Sequence, residues 1–260
     1  MNGGQQIQTY FAQEHYHEMD VRYDSEQKAL WCHKRSSSQP CCTPELFSEA
    51  LRLYRAVEGY LRHNTEHNKP DMLRYFIVAS RIPGVFNLGG DVSLLLRLIR
   101  TNDREGLHNY AKSCIDTLFV GYHLPITTIS LIQGDAFGGG FEGALVSRVL
   151  IAERQAKMGL PESLFNFFPG MGAYSLLARK LGPARAERLI LSGRIYSAEE
   201  LYEMGVVDVL AENGEGEKAV SAYIKKQNRA NNSYQAIHKV RQIYQPLRYN
   251  ELMEMKWNSK

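Results

Sequence analysis

Hydrophobic positions along this chain fall into two recurring patterns, short unbroken apolar runs and longer stretches with helical spacing. Tyr75-Phe76-Ile77-Val78-Ala79 is a continuous run, the signature of a strand buried on both faces, and Ile126 to Ile132 reads as a second buried strand after Pro125. Val149-Leu150-Ile151 and Ala156-Lys157-Met158 read as further short strands. Met19-Asp20-Val21-Arg22-Tyr23 and Ala29-Leu30-Trp31-Cys32 flank the polar tetrad Asp24 to Gln27, which predicts a hairpin. After the loop Ser36 to Pro40, Thr43-Pro44-Glu45 supplies a cap residue, a first-turn proline and an early acid. Leu46, Ala50, Leu53, Val57 and Leu61 then give the helix its apolar stripe, and His63 to Pro70 reads as a polar turn.

A helical pattern runs through Leu94, Leu95, Leu98 and Ile99, and a longer one through Leu107, Tyr110, Ala111, Cys114, Leu118 and Phe119. Beyond Gly172 the chain turns mostly helical, over Tyr174 to Leu181, Pro183 to Leu191 and Ala198 to Met204, with one strand expected at Val206-Val207-Asp208-Val209. Strand, loop, helix and strand recur, which favours an α/β architecture over a sandwich. We expect residues 1–195 to form the core and residues 196–260 a helical C-terminal region that serves assembly and pocket closure.

With 44% hydrophobic and 23% charged residues, the 260-residue chain has the composition of a folded globular protein. A net charge of +3 gives no argument for nucleic acid. From Lys225 onward eight basic residues face two acids, a solvated face or a surface for an acidic partner. Met1 to Gln6 has no secretory pattern and no run approaches the roughly 20 apolar residues that span a bilayer. The cysteines Cys32, Cys41, Cys42 and Cys114 have neither metal-ligand nor disulfide-framework spacing, so reduced thiols in the cytoplasm are expected. His15 with His17 would share a strand face and His63 with His67 a helix face, but no acid or thiol cluster accompanies them and no metal site is expected.

Chemistry concentrates between Gln133 and Gly172. Glu142 follows Gly138-Gly139-Gly140-Phe141, and Glu162 follows Gly159-Leu160-Pro161 ahead of Phe168-Pro169-Gly170-Met171-Gly172. Glycine lets backbone approach a ligand closely. One carboxyl that takes a proton and one that gives it can add or remove water across a carbon–carbon bond. Each glutamate alone has a plain structural reading as an early helical acid. The glycine run is neither a Walker loop nor a dinucleotide fingerprint, and no Gly-x-Ser-x-Gly elbow is present.

Phe86-Asn87-Leu88-Gly89-Gly90-Asp91, Gly138-Gly139-Gly140-Phe141-Glu142 and Pro161-Glu162 through Gly172, taken in order, resemble the crotonase (enoyl-CoA hydratase/isomerase) superfamily. The resemblance spans roughly Met19 to Leu210. Within it the chain is similar to the diffusible signal factor synthases, bacterial enzymes that make cis-2-unsaturated fatty acid quorum signals. Ordinary hydratases carry an Ala-Gly-Ala-Asp-like first loop and a Gly-Gly-Cys-Glu-like second one, and this chain departs from both. The resemblance implies a spiral of ββα units with an α-helical C-terminal region, assembled as trimers or dimers of trimers. It implies that the backbone N–H groups of Gly90 and Gly139 form an oxyanion hole and that Glu142 and Glu162 are the acid/base pair, in either order of roles. Phe137, Gly138, Phe141, Leu164, Met171, Gly172 and Trp257 are the candidate substrate-binding residues. The expected reaction is dehydration of a 3-hydroxyacyl thioester, carried by acyl carrier protein in preference to CoA, followed by thioester hydrolysis, with no further cofactor. The rivals are an ordinary enoyl-CoA hydratase of fatty-acid breakdown and a crotonase-like scaffold that binds a sensor kinase.

Overall fold

The computed structural model describes residues 3–12, 14–35, 37–67 and 73–257. Helix α1 (Gly3–Ala12) leads to the hairpin of β1 (Met19–Asp24) and β2 (Ala29–Lys34), and then to the long helix α2 (Pro44–Glu66). β3 (Tyr75–Ser80), β4 (Val85–Asn87), α3 (Val92–Arg100) and α4 (Arg104–His123) follow. Next come β5 (Thr127–Ile132), β6 (Asp135–Phe137), α5 (Gly139–Leu145), β7 (Val149–Glu153), β8 (Lys157–Gly159) and a 3₁₀ turn over Pro161–Phe165. The remainder is α6 (Ala173–Leu181), α7 (Pro183–Ser192), β9 (Ile195–Ser197), α8 (Ala198–Glu203), β10 (Val209–Ala211), α9 (Gly216–Arg229), α10 (Asn231–Tyr244) and α11 (Tyr249–Trp257).

Two sheets organise these elements. One has the order β1-β2-β3-β5-β7-β10, parallel except for the β1–β2 hairpin. The other has the order β4-β6-β8-β9, antiparallel only at its last pair. The pairs β3–β4, β5–β6 and β7–β8 each step from the first sheet to the second; helices return the chain to the first after β4 and β6, whereas after β8 helices α6 and α7 lead to β9 of the second sheet. That is the expected spiral of ββα units. Every residue of β5 and β7 is buried, as a parallel strand covered on both faces requires. Phe141, Leu150 and Met158 belong to the core between this sheet and the helices, while Val220 and Ile224 of α9 cover Ile129, Leu131 and Ile151 on the opposite face.

Three expectations change. α2 continues through Glu66, so His63 lies on its last turn rather than in a turn segment, and its ring stands 4.2 Å from that of His67. Residues 68–70 of that expected turn lie outside the described residues. The last core strand begins at Val209 rather than Val206. Val206 and Val207 are buried in a turn whose N–H groups both donate to the Leu201 carbonyl. His15 and His17 precede β1 instead of sharing a strand face. The boundary at 195/196 falls inside β9, and β9 and β10 complete the edges of the two sheets. Among the described residues no group of three or more His, Cys, Asp or Glu could hold a metal, and no helix is long and apolar enough to cross a membrane.

Candidate active site

The site forms where the second sheet meets the first turns of α3 and α5. At the end of β6 the chain must reverse into α5, and Gly138 makes that bend with φ 50° and ψ −128°, a region closed to side chains. Its N–H is held by the Gly159 carbonyl at 2.9 Å, and its own carbonyl accepts from Glu142 N–H at 2.9 Å. Glu142 is thereby fixed in the opening turn of α5, with 1% of its surface exposed. Its Oε1 accepts two hydrogen bonds of 2.9 Å, from the N–H groups of Met171 and Ala173.

Glu162 arrives from the other side, on the 3₁₀ turn that Pro161 opens and left-handed Asn166 closes. Its carboxylate lies directly over Gly138, where an added methyl group would overlap Oε1. Oε2 of Glu162 is buried and among the described residues has no hydrogen-bond partner. A buried acceptor without a partner is costly, and it marks a group waiting for a ligand proton.

Burial raises both carboxyls, because desolvation penalises the charged form. Glu142 is pushed up to about 8, first by burial and then by the charge of Glu162, against the opposing pull of its two amide donors. Glu162 is raised by burial, offset by a backbone hydrogen bond. Near neutral pH Glu142 therefore carries a proton. With Oε1 committed as an acceptor, that proton sits on Oε2 of Glu142.

The two amides nominated from sequence flank one small space. A methyl group on Gly139 would stand 3.7 Å from Gly90 N and 2.7 Å from the Met171 sulfur, and one on Gly89 would stand 3.3 Å from Gly139 N. The neighbouring amides are committed: Gly89 N–H to Asn87 Oδ1 at 2.8 Å and Asp91 N–H to the Tyr110 hydroxyl at 3.0 Å. Tyr110 in turn donates to the Cys42 carbonyl at 2.7 Å, and Asp91 caps α3 by accepting from Leu94 N–H. Asn87 and Tyr110 brace the loop; in the sequence Asn87 stands out only as a member of the first glycine loop and Tyr110 only as one position of a helix stripe.

The substrate-binding candidates separate. Met171 is half-buried beside Gly139, and Gly172 starts α6 at φ 103° against Leu252 of α11. Phe137 is half-buried, with its carbonyl facing Gly89. Phe141 is wholly buried in the core, because helical geometry turns it about 200° from Gly139. Leu164 is 67% exposed and lies against Gly193. Trp257 ends α11, and its side chain lies outside the described residues. The open space adjoining Gly139 and Met171 is instead a cavity of about 120 Å³ that reaches under α2 and α4.

Gly138 carries a direct prediction. Gly138→Ala forces a side chain into a left-handed backbone, at about 1–2 kcal/mol, and pushes the Glu162 carboxylate aside, which is expected to lower kcat/KM roughly 10²-fold. Urea titration and steady-state kinetics read the two losses separately. An unchanged kcat/KM would detach Glu162 from the chemistry.

Repeated ββα steps between two mostly parallel sheets, with this site at their meeting point, define a crotonase-fold protein. Residues 63–254 match the enoyl-CoA hydratase/isomerase family, and the chain belongs to that family. The mitochondrial methylglutaconyl-CoA hydratase of Mus musculus is 33% identical over 148 residues, 56% of this chain and 46% of that protein. An enoyl-CoA isomerase/hydratase of Zymoseptoria tritici is 37% identical over 151 residues, 57% of this chain and 48% of that protein. The chain spans about half the length of the curated relatives it matches. An enoyl-CoA hydratase from Bacillus halodurans superposes with a TM-score of 0.75 at 22% identity, over 94% of this chain and 92% of the other. DspI of Pseudomonas aeruginosa gives a TM-score of 0.75 at 22% identity, over 92% and 91%. At that identity these two likenesses concern the fold.

Proposed function

We propose that this protein dehydrates a 3-hydroxyacyl thioester, taken from acyl carrier protein in preference to CoA, and hydrolyses the product to a free cis-2-unsaturated fatty acid. The observation that carries the reading is the divided carboxyl pair: Glu142 buried and protonated, Glu162 close by with an unpartnered Oε2, and two backbone amides beside them.

A proton α to a thioester is too weakly acidic for a carboxylate to remove unaided. The negative charge that develops on the thioester oxygen is met by the N–H groups of Gly90 and Gly139, and one preorganised donor is typically worth roughly 10²- to 10³-fold in rate. Glu162 takes the α-proton on Oε2. Electrons from the broken C–H bond form the double bond as the C3–O bond breaks, and Glu142 delivers its Oε2 proton so that water leaves. The geometry thus favours one assignment, Glu162 as base and Glu142 as acid. For release, Glu142, left ionised by the first step, draws a proton from water attacking the thioester carbon, the same two amides hold the tetrahedral oxyanion, and the proton that Glu162 took from C2 leaves with the thiol, which returns both carboxyls to their starting states.

The family membership supports a second reading, reversible hydration that ends at a trans-2-enoyl-CoA. Incubation with 3-hydroxyacyl substrates on carrier protein and on CoA, followed by mass spectrometry, separates the two. A free cis-2 acid is the expected product; a trans-2-enoyl thioester that remains esterified overturns the proposal. Were signal production to survive alanine at either glutamate, a scaffold that engages a sensor kinase would account for the chain better.

A further inference from the structure

The cavity that opens beside Gly139 and Met171 is walled by Ala50, Leu53 and Tyr54 of α2, Leu118 of α4 and Gly143 of α5. An apolar cavity of about 150 Å³ accommodates a six-carbon ring, so this one matches a tail segment of about five carbons. Gly139 and Gly143 stand one helical turn apart on the same face of α5, with Glu142 at the edge of that face. The cavity therefore begins at the reacting centre and runs along the helix that carries one of the two carboxyls.

Gly143 stands out among the wall residues. It occupies the interior of a helix, where glycine is the least favoured residue after proline. No heavy atom lies within 4 Å of the position a Cβ would take, and its φ is not in the left-handed region. Neither packing nor backbone geometry asks for glycine there. The residue is exposed, so the cavity is open beside it. A glycine that the fold does not need, at the mouth of an apolar cavity leading from the thioester site, leaves room for something that passes.

We infer that the acyl tail of the substrate runs from Gly139 through this cavity and leaves past Gly143, and that the absence of a side chain at position 143 admits long chains. The inference rests on the acyl-thioester reading of the site and adds to it a residue that sets chain length.

The test uses the whole protein and non-hydrolysable pantetheine thioethers bearing four-carbon or twelve-carbon acyl groups, with affinities from calorimetry. Gly143→Leu is expected to lower the ratio of twelve-carbon to four-carbon affinity by roughly tenfold or more, since tenfold needs only about 1.4 kcal/mol of lost tail contact. Its Tm is expected to hold or rise, because leucine is the better helix former. Ala50→Leu narrows the same cavity from α2 and is expected to shift the ratio in the same direction. An unchanged ratio in both variants overturns the inference, as does an equal loss of both ligands accompanied by altered sedimentation, which would place position 143 against a second copy of the chain. If the unsubstituted protein bound neither thioether, the acyl-thioester reading would fall first, and the tail path with it.

Discussion

Glu162→Gln is expected to lower kcat/KM for dehydration of a 3-hydroxyacyl thioester by about 10²- to 10⁴-fold, the range typical of a lost general base. Glutamine keeps the shape and the packing over Gly138 but has no lone-pair site that can retain a proton from carbon. Because the Glu162 Oε2 is buried with no hydrogen-bond partner among the described residues, the exchange breaks no hydrogen bond of that atom with them. Stability should therefore move little while activity collapses. Glu142→Gln is expected to remove a comparable share by withholding the departing hydroxyl's proton. The double variant should be far less impaired than the product of the two single losses, since residues that act as one unit are not additive. Single-turnover kinetics with the four proteins supply the cycle. Multiplicative losses would show that the two carboxyls act in separate steps, and full activity in Glu162→Gln would remove this residue from the reaction.

How much of this was legible beforehand depended on how strictly the backbone restricts residue choice. β3 and β7 announce themselves because a strand covered on both faces leaves a run of apolar residues, and β5 shows itself as Ile129, Leu131 and Ile132 among small β-formers after Pro125. The three-residue strands β4, β6 and β9 are too short to show any period, and two of them lead into the loops read first for chemistry. The last turn of α2 was hidden because His63, Thr65 and Glu66 face solvent, and a solvated turn looks polar whether or not its backbone is helical. Val206 and Val207 look like a strand yet are buried by a turn, since burial and β-pairing select the same apolar residues.

Within the site, the glycines and glutamates were visible because each answers a constraint that few residues satisfy: positive φ at Gly138, contact with the Met171 sulfur at Gly139, a desolvated carboxyl at position 142. The cavity was not visible. Ala50, Leu53 and Leu118 were read as ordinary stripe positions, and an apolar stripe has the same spacing whether it meets a filled core or open space. Phe141 was nominated for the pocket, but 3.6-residue geometry turns it away from Gly139 and into the core.

The raised carboxyl also ties activity to pH and sets it against stability. The proposed dehydration needs Glu142 protonated and Glu162 ionised, so kcat/KM should fall as pH rises through about 8. It should fall again on the acid side, at a pH above the ordinary carboxylate range because burial raises Glu162. The two limbs belong to the pair as macroscopic values. The stability consequence follows from proton binding. Burial holds the Glu142 carboxyl up at about 8 in the folded protein, against an ordinary value of 4.5 in the unfolded chain. Between those values the folded protein holds a proton that the unfolded chain has lost. The unfolding free energy should then decline with rising pH by up to about 1.4 kcal/mol per unit, with the contribution complete below the unfolded value and gone above the folded one. Glu142→Gln removes the ionisation and keeps an oxygen for the Met171 and Ala173 amides. Its stability relative to the parent should therefore climb steadily across that window, ending above the parent in alkaline buffer although the variant is nearly inactive. Urea unfolding of both proteins at intervals from acid to pH 9 measures the difference. Two parallel curves would mean that Glu142 ionises as it would in water, and a carboxyl of that kind could not arrive at the substrate carrying the proton that the departing hydroxyl requires.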